Sequence, residues 1–148
     1  MRSTSVHSQL RAIADQIWSS VDAPSGAILQ LLDDGGCFGF VGAWGPGSAQ
    51  LLEPNLTIPR SSIAGRCVDT RRPVSVADAQ QSHRHFRIVD RLTGETTHRV
   101  LALPFVRDVD GISRWFVLEL LGADPNLDLS SVAAIVRQSG AHPVGWPQ

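Results

Sequence analysis

Two long apolar runs, HRVLALPFVRD (98–108) and SRWFVLELLGA (113–123), flank a single Asp110-Gly111 step. An Asp-Gly pair between strand-like runs marks a hairpin, because glycine accepts the positive φ that a tight turn needs. The same arrangement occurs earlier: GAILQLLDD (26–34), then Asp34-Gly35-Gly36, then CFGFVGAWG (37–45). Hairpins build antiparallel sheets, so the core of this chain must be an antiparallel sheet. Gly39 and Gly42 interrupt the second partner and point to a bulge or to close backbone approach.

The remaining segments supply covers for that sheet. Val6, Leu10, Ile13, Ile17 and Val21 recur at helical spacing, which predicts a helix over residues 5–22 with Trp18 widening its apolar stripe. SIAGRCVDTRR (62–72) reads as a short helix capped by a serine hydroxyl and stopped by Pro73. VSVAD (74–78) is a short strand, with Asp78 placed to cap the following turn. Residues 49–60 read as an irregular loop, and residues 79–92 as a loop followed by a short helix. LDLSSVAAIVRQS (127–139) is a last helix ending near Gly140. The tail AHPVGWPQ cannot extend it, because Pro143, Gly145 and Pro147 intervene. The expected fold class is α+β, with five or six antiparallel strands and helices packed on the sheet, forming one domain over residues 1–148.

Composition narrows the function. Among 148 residues, 13 basic side chains meet 14 acidic ones, for a net charge of −1. That balance speaks against nucleic acid and anionic membranes as partners. Every basic residue is arginine, so lysine Schiff-base chemistry and P-loops are excluded; tyrosine is absent too. Cys37 and Cys67 fit neither a disulfide framework nor a zinc site, and are expected to be free thiols. The N-terminus lacks a signal-peptide core, and no apolar run approaches the ~20 residues of a membrane span. A cytoplasmic protein is expected. The arginine-only, Ala- and Gly-rich composition hints at a GC-rich bacterial genome.

Few residues can carry chemistry. Glu119 interrupts the apolar run WFVLELLG, where a buried carboxylate needs an arginine such as Arg99 or Arg107, a ligand donor, or an outlet to solvent. Asp90, Thr93 and Thr97 cluster around Gly94 and the start of a strand, where they either cap loose backbone groups or orient a polar ligand. His83 and His85 lack further ligands at metal-binding spacing. No serine elbow, HExxH, phosphate loop or CxxC is present, so nothing in the sequence demands an enzyme.

SIAGRCVDTRRPVSVADA, FRIVDRLTGETTHRVLALPF and WFVLELLGA, taken in that order, resemble a GAF domain, with the clear match over residues 61–123. The resemblance implies a roughly six-stranded antiparallel sheet, with helices from both chain ends on one face and a small-ligand pocket on the other. It also implies a sensory role and frequent dimerisation through the terminal helices. Within the family, the text is most similar to the regulatory GAF domains of cyclic-nucleotide phosphodiesterases. Their D-x-x-T-G-x-x-T segment maps onto Asp90, Thr93 and Thr97, and their ligand-contacting strand glutamate onto Glu119. An aromatic four residues before the Asp maps onto Phe86, a candidate for stacking on a planar ligand.

The chain departs from that subfamily where an Asn-Lys pair, a Phe and an Asp-Glu should follow the last strand. It has Gly122, Ala123 and then PNLDLSS, and no lysine to close the pocket. The free-methionine-sulfoxide reductases are a second comparison, but their cysteines precede and adjoin the helix glycine. Here Ala64 precedes the glycine, and Cys67 lies further along.

The expectation is therefore a non-catalytic sensor for a small ligand, with a cyclic nucleotide or another small metabolite as candidates. Asp90, Thr93, Thr97 and Glu119 would supply polar contacts, and Phe86, Val76, Phe38 and Phe40 the apolar wall. The output would pass to a homodimer partner or an effector protein. The rival expectation is a ligand-free module for dimerisation or protein binding, with Trp146 in the tail as contact surface.

Overall fold

The computed structural model of the chain describes residues 2–52, 56–82, 99–124 and 126–147. Both hairpins of the sequence lie in one antiparallel sheet. The first comprises β1 (Ser25–Leu31) and β2 (Cys37–Trp44); the second comprises β5 (Val100–Val109) and β6 (Ile112–Leu121). β1 pairs directly with β6, from Ser25 opposite Leu121 to Gln30 opposite Phe116, so the two hairpins join side by side. Short strands finish the sheet: β3 (Thr57–Pro59) on β2, and β4 (Val74–Val76) and β7 (His142–Pro143) along the outer side of β5. The order is β3-β2-β1-β6-β5-β4, with β7 on β5 beside β4.

The expected α+β class holds. Two strands exceed the expectation in detail. β3 and the short helix α2 (Ser48–Leu51) fall within the stretch expected to be an irregular loop, and β7 falls in the proline-containing tail. Three- and two-residue strands carry too few residues to show a period of two, which hides them from sequence.

The pleat sends alternate side chains to two different layers. On one face, helices α1 (Arg2–Ser20) and α4 (Leu129–Gln138) lie against Ile28, Leu103, Phe105, Phe116, Leu118 and Leu120. Leu10, Ile13 and Ile17 of α1, and Val132, Ile135 and Val136 of α4, are buried there. Phe105 and Phe116 stack across the β5–β6 hairpin with centroids 5.3 Å apart. The apolar stripe of α1 is narrower than expected, since Trp18 is 54% exposed. One residue beyond Ile17 is about 100° further round the helix, which carries Trp18 off the buried face.

Trp44 shows how the sheet admits a large ring. Its indole N–H donates to the Ala23 carbonyl at 3.1 Å. A side chain at Gly26 would meet the ring at 2.3 Å, so the strand needs glycine beneath it. β2 bulges where the sequence suggested: its register to β1 shifts between Ile28 and Leu29, which face Gly42 and Phe40 and leave Val41 as the extra residue.

On the other face lies helix α3 (Ile63–Thr70) with Ile58 and Ala79. Ser62 is its N-cap and accepts from the Gly65 amide at 3.4 Å. Asp78 likewise caps the 3₁₀ turn at 79–81, as the sequence indicates. No helix among the described residues is long and apolar enough to cross a membrane.

Candidate ligand-facing site

β6 runs through the middle of the sheet, and Glu119 lies near its end. The residues directly opposite are Ala27 on β1 and Ala102 on β5. Each presents only a methyl group, so the longest side chain in this row is flanked by the shortest. The pleat places Glu119 with Val117, on the α3 face rather than the terminal-helix face.

α3 is held over that face by more than its own contacts. Arg60 donates from Nε and one terminal nitrogen to Asp69 Oδ1, at 3.1 and 2.7 Å. Its other terminal nitrogen donates to the Gly35 carbonyl at 2.8 Å. One guanidinium thus ties the β1–β2 turn to the helix. Helix and preceding turn also approach closely, since a Cβ at Gly65 would lie 1.5 Å from the Arg60 carbonyl oxygen. This clasp was not legible in sequence, because Arg60 and Asp69 are nine residues apart across a loop and a helix.

The arginines named as partners for Glu119 go elsewhere. Arg99 donates to the Ala123 carbonyl at 3.4 Å. Arg107 lies on the terminal-helix side, where it donates to the Ser139 carbonyl at 3.1 Å and to the Gln9 side chain. The alternation of β5 explains this: Ala102 and Val100 face α3, whereas Leu101, Leu103 and Phe105 face α1 and α4. Among the described residues, Glu119 makes no hydrogen bond and no ion pair. The Glu119 side chain is half-buried, and the loss of water that this entails pushes its pKa from 4.5 up to about 7. Near neutral pH the carboxyl therefore exists in both forms and can accept or donate a hydrogen bond.

Cys67 of α3 shares this environment. It is buried and free. Burial raises its thiol pKa well above the usual range, and the negative charge of Glu119 raises it further. That opposes the thiolate needed for nucleophilic attack. Cys37 is also free and partly buried.

The other expected residues divide into two groups. Phe38, Phe40 and Val76 lie on the same face as Glu119. Phe38 is fully buried between Leu31 and Ile58 in neighbouring strands, so it forms the floor of the layer. Phe40 and Val76 are partly buried at its edge. Phe86, Asp90, Thr93 and Thr97 lie outside the described residues, as do His83 and His85. Ala27 and Ala102, which flank Glu119, were not among the expected site residues, and Cys67 was expected only as a free thiol. Ala102 carried a usable signal, being a small residue between Leu101 and Leu103 in an apolar strand; Ala27, next to Gly26, carried none.

The tail overturns one expectation. Trp146 is 9% exposed and belongs to the core of the terminal-helix face. Its indole N–H donates to the Pro104 carbonyl at 2.6 Å. It is therefore not a contact surface for a partner.

Solved structures share this architecture. The GAF domain of a phosphoenolpyruvate-protein phosphotransferase from Coxiella burnetii superposes with a TM-score of 0.66 at 14% identity, covering 90% of this chain and 77% of that one. Residues 122–287 of a methyl-accepting chemotaxis protein give 0.65 at 18% identity, with 90% and 84% covered. The free methionine-R-sulfoxide reductase from Neisseria meningitidis, in complex with its substrate, gives 0.63 at 14% identity, with 90% and 77% covered. At these identities the likeness is one of fold. No curated protein sequence matches the chain. The sequence pattern of the GAF domain matches residues 3–131, and the chain accordingly belongs to the GAF domain family of sensory and regulatory modules.

Proposed function

We propose that this chain is a non-catalytic sensory module that binds a small polar or planar molecule between α3 and the sheet, beside Glu119. The observation that carries this reading is Glu119 itself. Its carboxyl faces the α3 layer between Ala27 and Ala102, with no partner among the described residues. A polar group in that position is satisfied by a ligand bearing an N–H or O–H group. Ligand classes consistent with this include cyclic nucleotides and other small metabolites with a hydrogen-bond donor edge. Asp90, Thr93, Thr97 and Phe86 are proposed to complete the wall, with Phe40 and Val76 at its apolar rim.

The non-catalytic part of the reading rests on Cys67. Its thiol is buried and its pKa raised, which is the wrong setting for attack on a substrate sulfur or carbon. Sharing a fold with a reductase solved with its substrate supports a small-molecule site in this architecture without implying the same chemistry. Output is proposed to pass through the terminal helices to a second copy or to an effector protein in the cytoplasm. Trp18, 54% exposed on α1, is the apolar residue best placed for such a contact.

Thermal unfolding of the wild type and of Glu119→Gln, each with cyclic AMP and cyclic GMP at increasing concentration, tests the site. Ligand at 100 times its Kd adds about 2.7 kcal/mol to stability, a clear rise in Tm. The wild type should show it and Glu119→Gln should lose most of it. Equal shifts in both proteins would move the site away from Glu119. No shift with either nucleotide would remove cyclic nucleotides from the candidates.

A further inference from the structure

β5 has one side paired along its length with β6 and the other exposed to whatever covers it. β4 covers Val100–Ala102, and β7 covers Phe105 and Val106. Between them lies Pro104, which has no N–H to offer and so fits the gap between two short strands. Its carbonyl accepts from the Val144 amide at 3.0 Å and from the Trp146 indole at 2.6 Å. Two residues of the tail, on either side of Gly145, are thus fixed to one carbonyl of the sheet.

The tail also touches both layers. At its start, Ala141 is buried in the terminal-helix core, directly after α4 and Gly140. At its end, Trp146 fills the same core. Gly145, next to Trp146, packs closely on the end of α3. It has φ of +71°, and a Cβ there would lie 2.2 Å from the Arg71 carbonyl oxygen and 3.1 Å from Arg72 Cα. Arg71 is the left-handed C-cap of α3, with φ of 55° in a residue that is not glycine. A backbone contact this close cannot be kept if α3 shifts while the tail stays still. The tail, residues 140–147, lies beyond the segment that matches the family pattern, which ends at residue 131.

We propose that residues 140–147 act as a strap that couples the end of α3 and the start of β4 to α4, across the edge of β5. A displacement of α3 moves Arg71 against Gly145, and the two anchors on Pro104 convert that push into movement of the segment leading back to α4. Its use as a signalling route rests on the proposed ligand site beside α3; the mechanical coupling does not.

Amide hydrogen exchange of the full chain tests the coupling without any ligand. Arg71→Val strains the left-handed cap of α3, because a β-branched side chain disfavours positive φ. Gly145→Ala strains the contact from the tail side. With the strap in place, Arg71→Val should accelerate exchange by about threefold or more at residues 66–76 and also at 132–138. Gly145→Ala should accelerate the same two segments together with 141–146. The proposal is overturned if Arg71→Val leaves 132–138 unchanged, or if Gly145→Ala loosens 141–146 alone. Should Gly145→Ala unfold the whole chain, the Arg71→Val comparison decides. Neither result depends on whether a ligand exists, so failure of the strap and failure of the ligand site are separately visible.

Discussion

The Glu119 carboxyl is governed by its surroundings, because no described residue pairs with it. Burial raises its pKa from 4.5 to about 7. Between those two values the folded state holds a proton that the unfolded chain has released. The stability that this group contributes therefore falls as pH rises from about 4.5 to about 7 and flattens above; for a half-buried carboxyl the drop lies below the roughly 3 kcal/mol of the full shift. Urea unfolding at pH 5 and pH 8 should show this drop in the wild type. Glu119→Gln, which keeps the shape and cannot ionise, should lack this component and be the more stable protein at pH 8. Equal pH dependence in both proteins would mean that the carboxylate already has a partner.

The same layer sets the reactivity of the thiols. Cys37 is partly exposed at the start of β2, whereas Cys67 is fully buried and its thiol is held protonated. Iodoacetamide added to the native protein should alkylate Cys37 first, and Cys67 only under unfolding conditions. Rapid modification of Cys67 in the folded protein would contradict the non-catalytic reading, since a reactive thiol there would be available for chemistry. Glu119 was identifiable from sequence because a charged residue among Trp, Phe, Val and Leu violates the pattern around it. Its missing partner was not identifiable, because Arg99 and Arg107 had to be placed on a side of β5 before either could be excluded.

At the scale of elements, α3 depends on its close approach to the turn that precedes it. Gly65→Ala would place a methyl group 1.5 Å from the Arg60 carbonyl oxygen, where the atoms it meets are all Arg60 backbone and no flexible side chain can yield. The expected cost is on the order of 3 kcal/mol or more, seen as a lower urea midpoint with an unchanged slope. A loss below about 1 kcal/mol would show that the turn at Arg60 can move away from the helix at little cost. The long elements were legible because their patterns are long: two ten-residue strands around Asp110-Gly111, and the 3.6-residue period through Leu10, Ile13 and Ile17. β3 and β7 were hidden because pairing, and not their own composition, makes them strands. Pro143 in particular argues against a strand until β5 is seen to offer an edge.

For the whole molecule, the α+β class follows from two hairpins and two amphipathic end helices, which leave one sheet face for the terminal helices and one for α3. What the sequence withheld was the route of the tail. The residues of AHPVGWPQ cannot continue a helix, yet nothing local says that Trp146 returns to the core instead of facing a partner. Trp18 is the residue that took the exposed role. If the terminal helices pair in a dimer, Trp18→Glu should convert a sedimenting dimer to a monomer while leaving the Tm within a few degrees. A wild-type protein that sediments as a monomer at all concentrations would place the output in a different partner.

A crystal structure of the protein purified from cells, with nothing added, tests the sensory account most directly. The account predicts non-protein density between α3 and the sheet, within hydrogen-bonding distance of the Glu119 carboxyl. It is contradicted if the chain's own side chains fill that space, or if an arginine closes on Glu119 there.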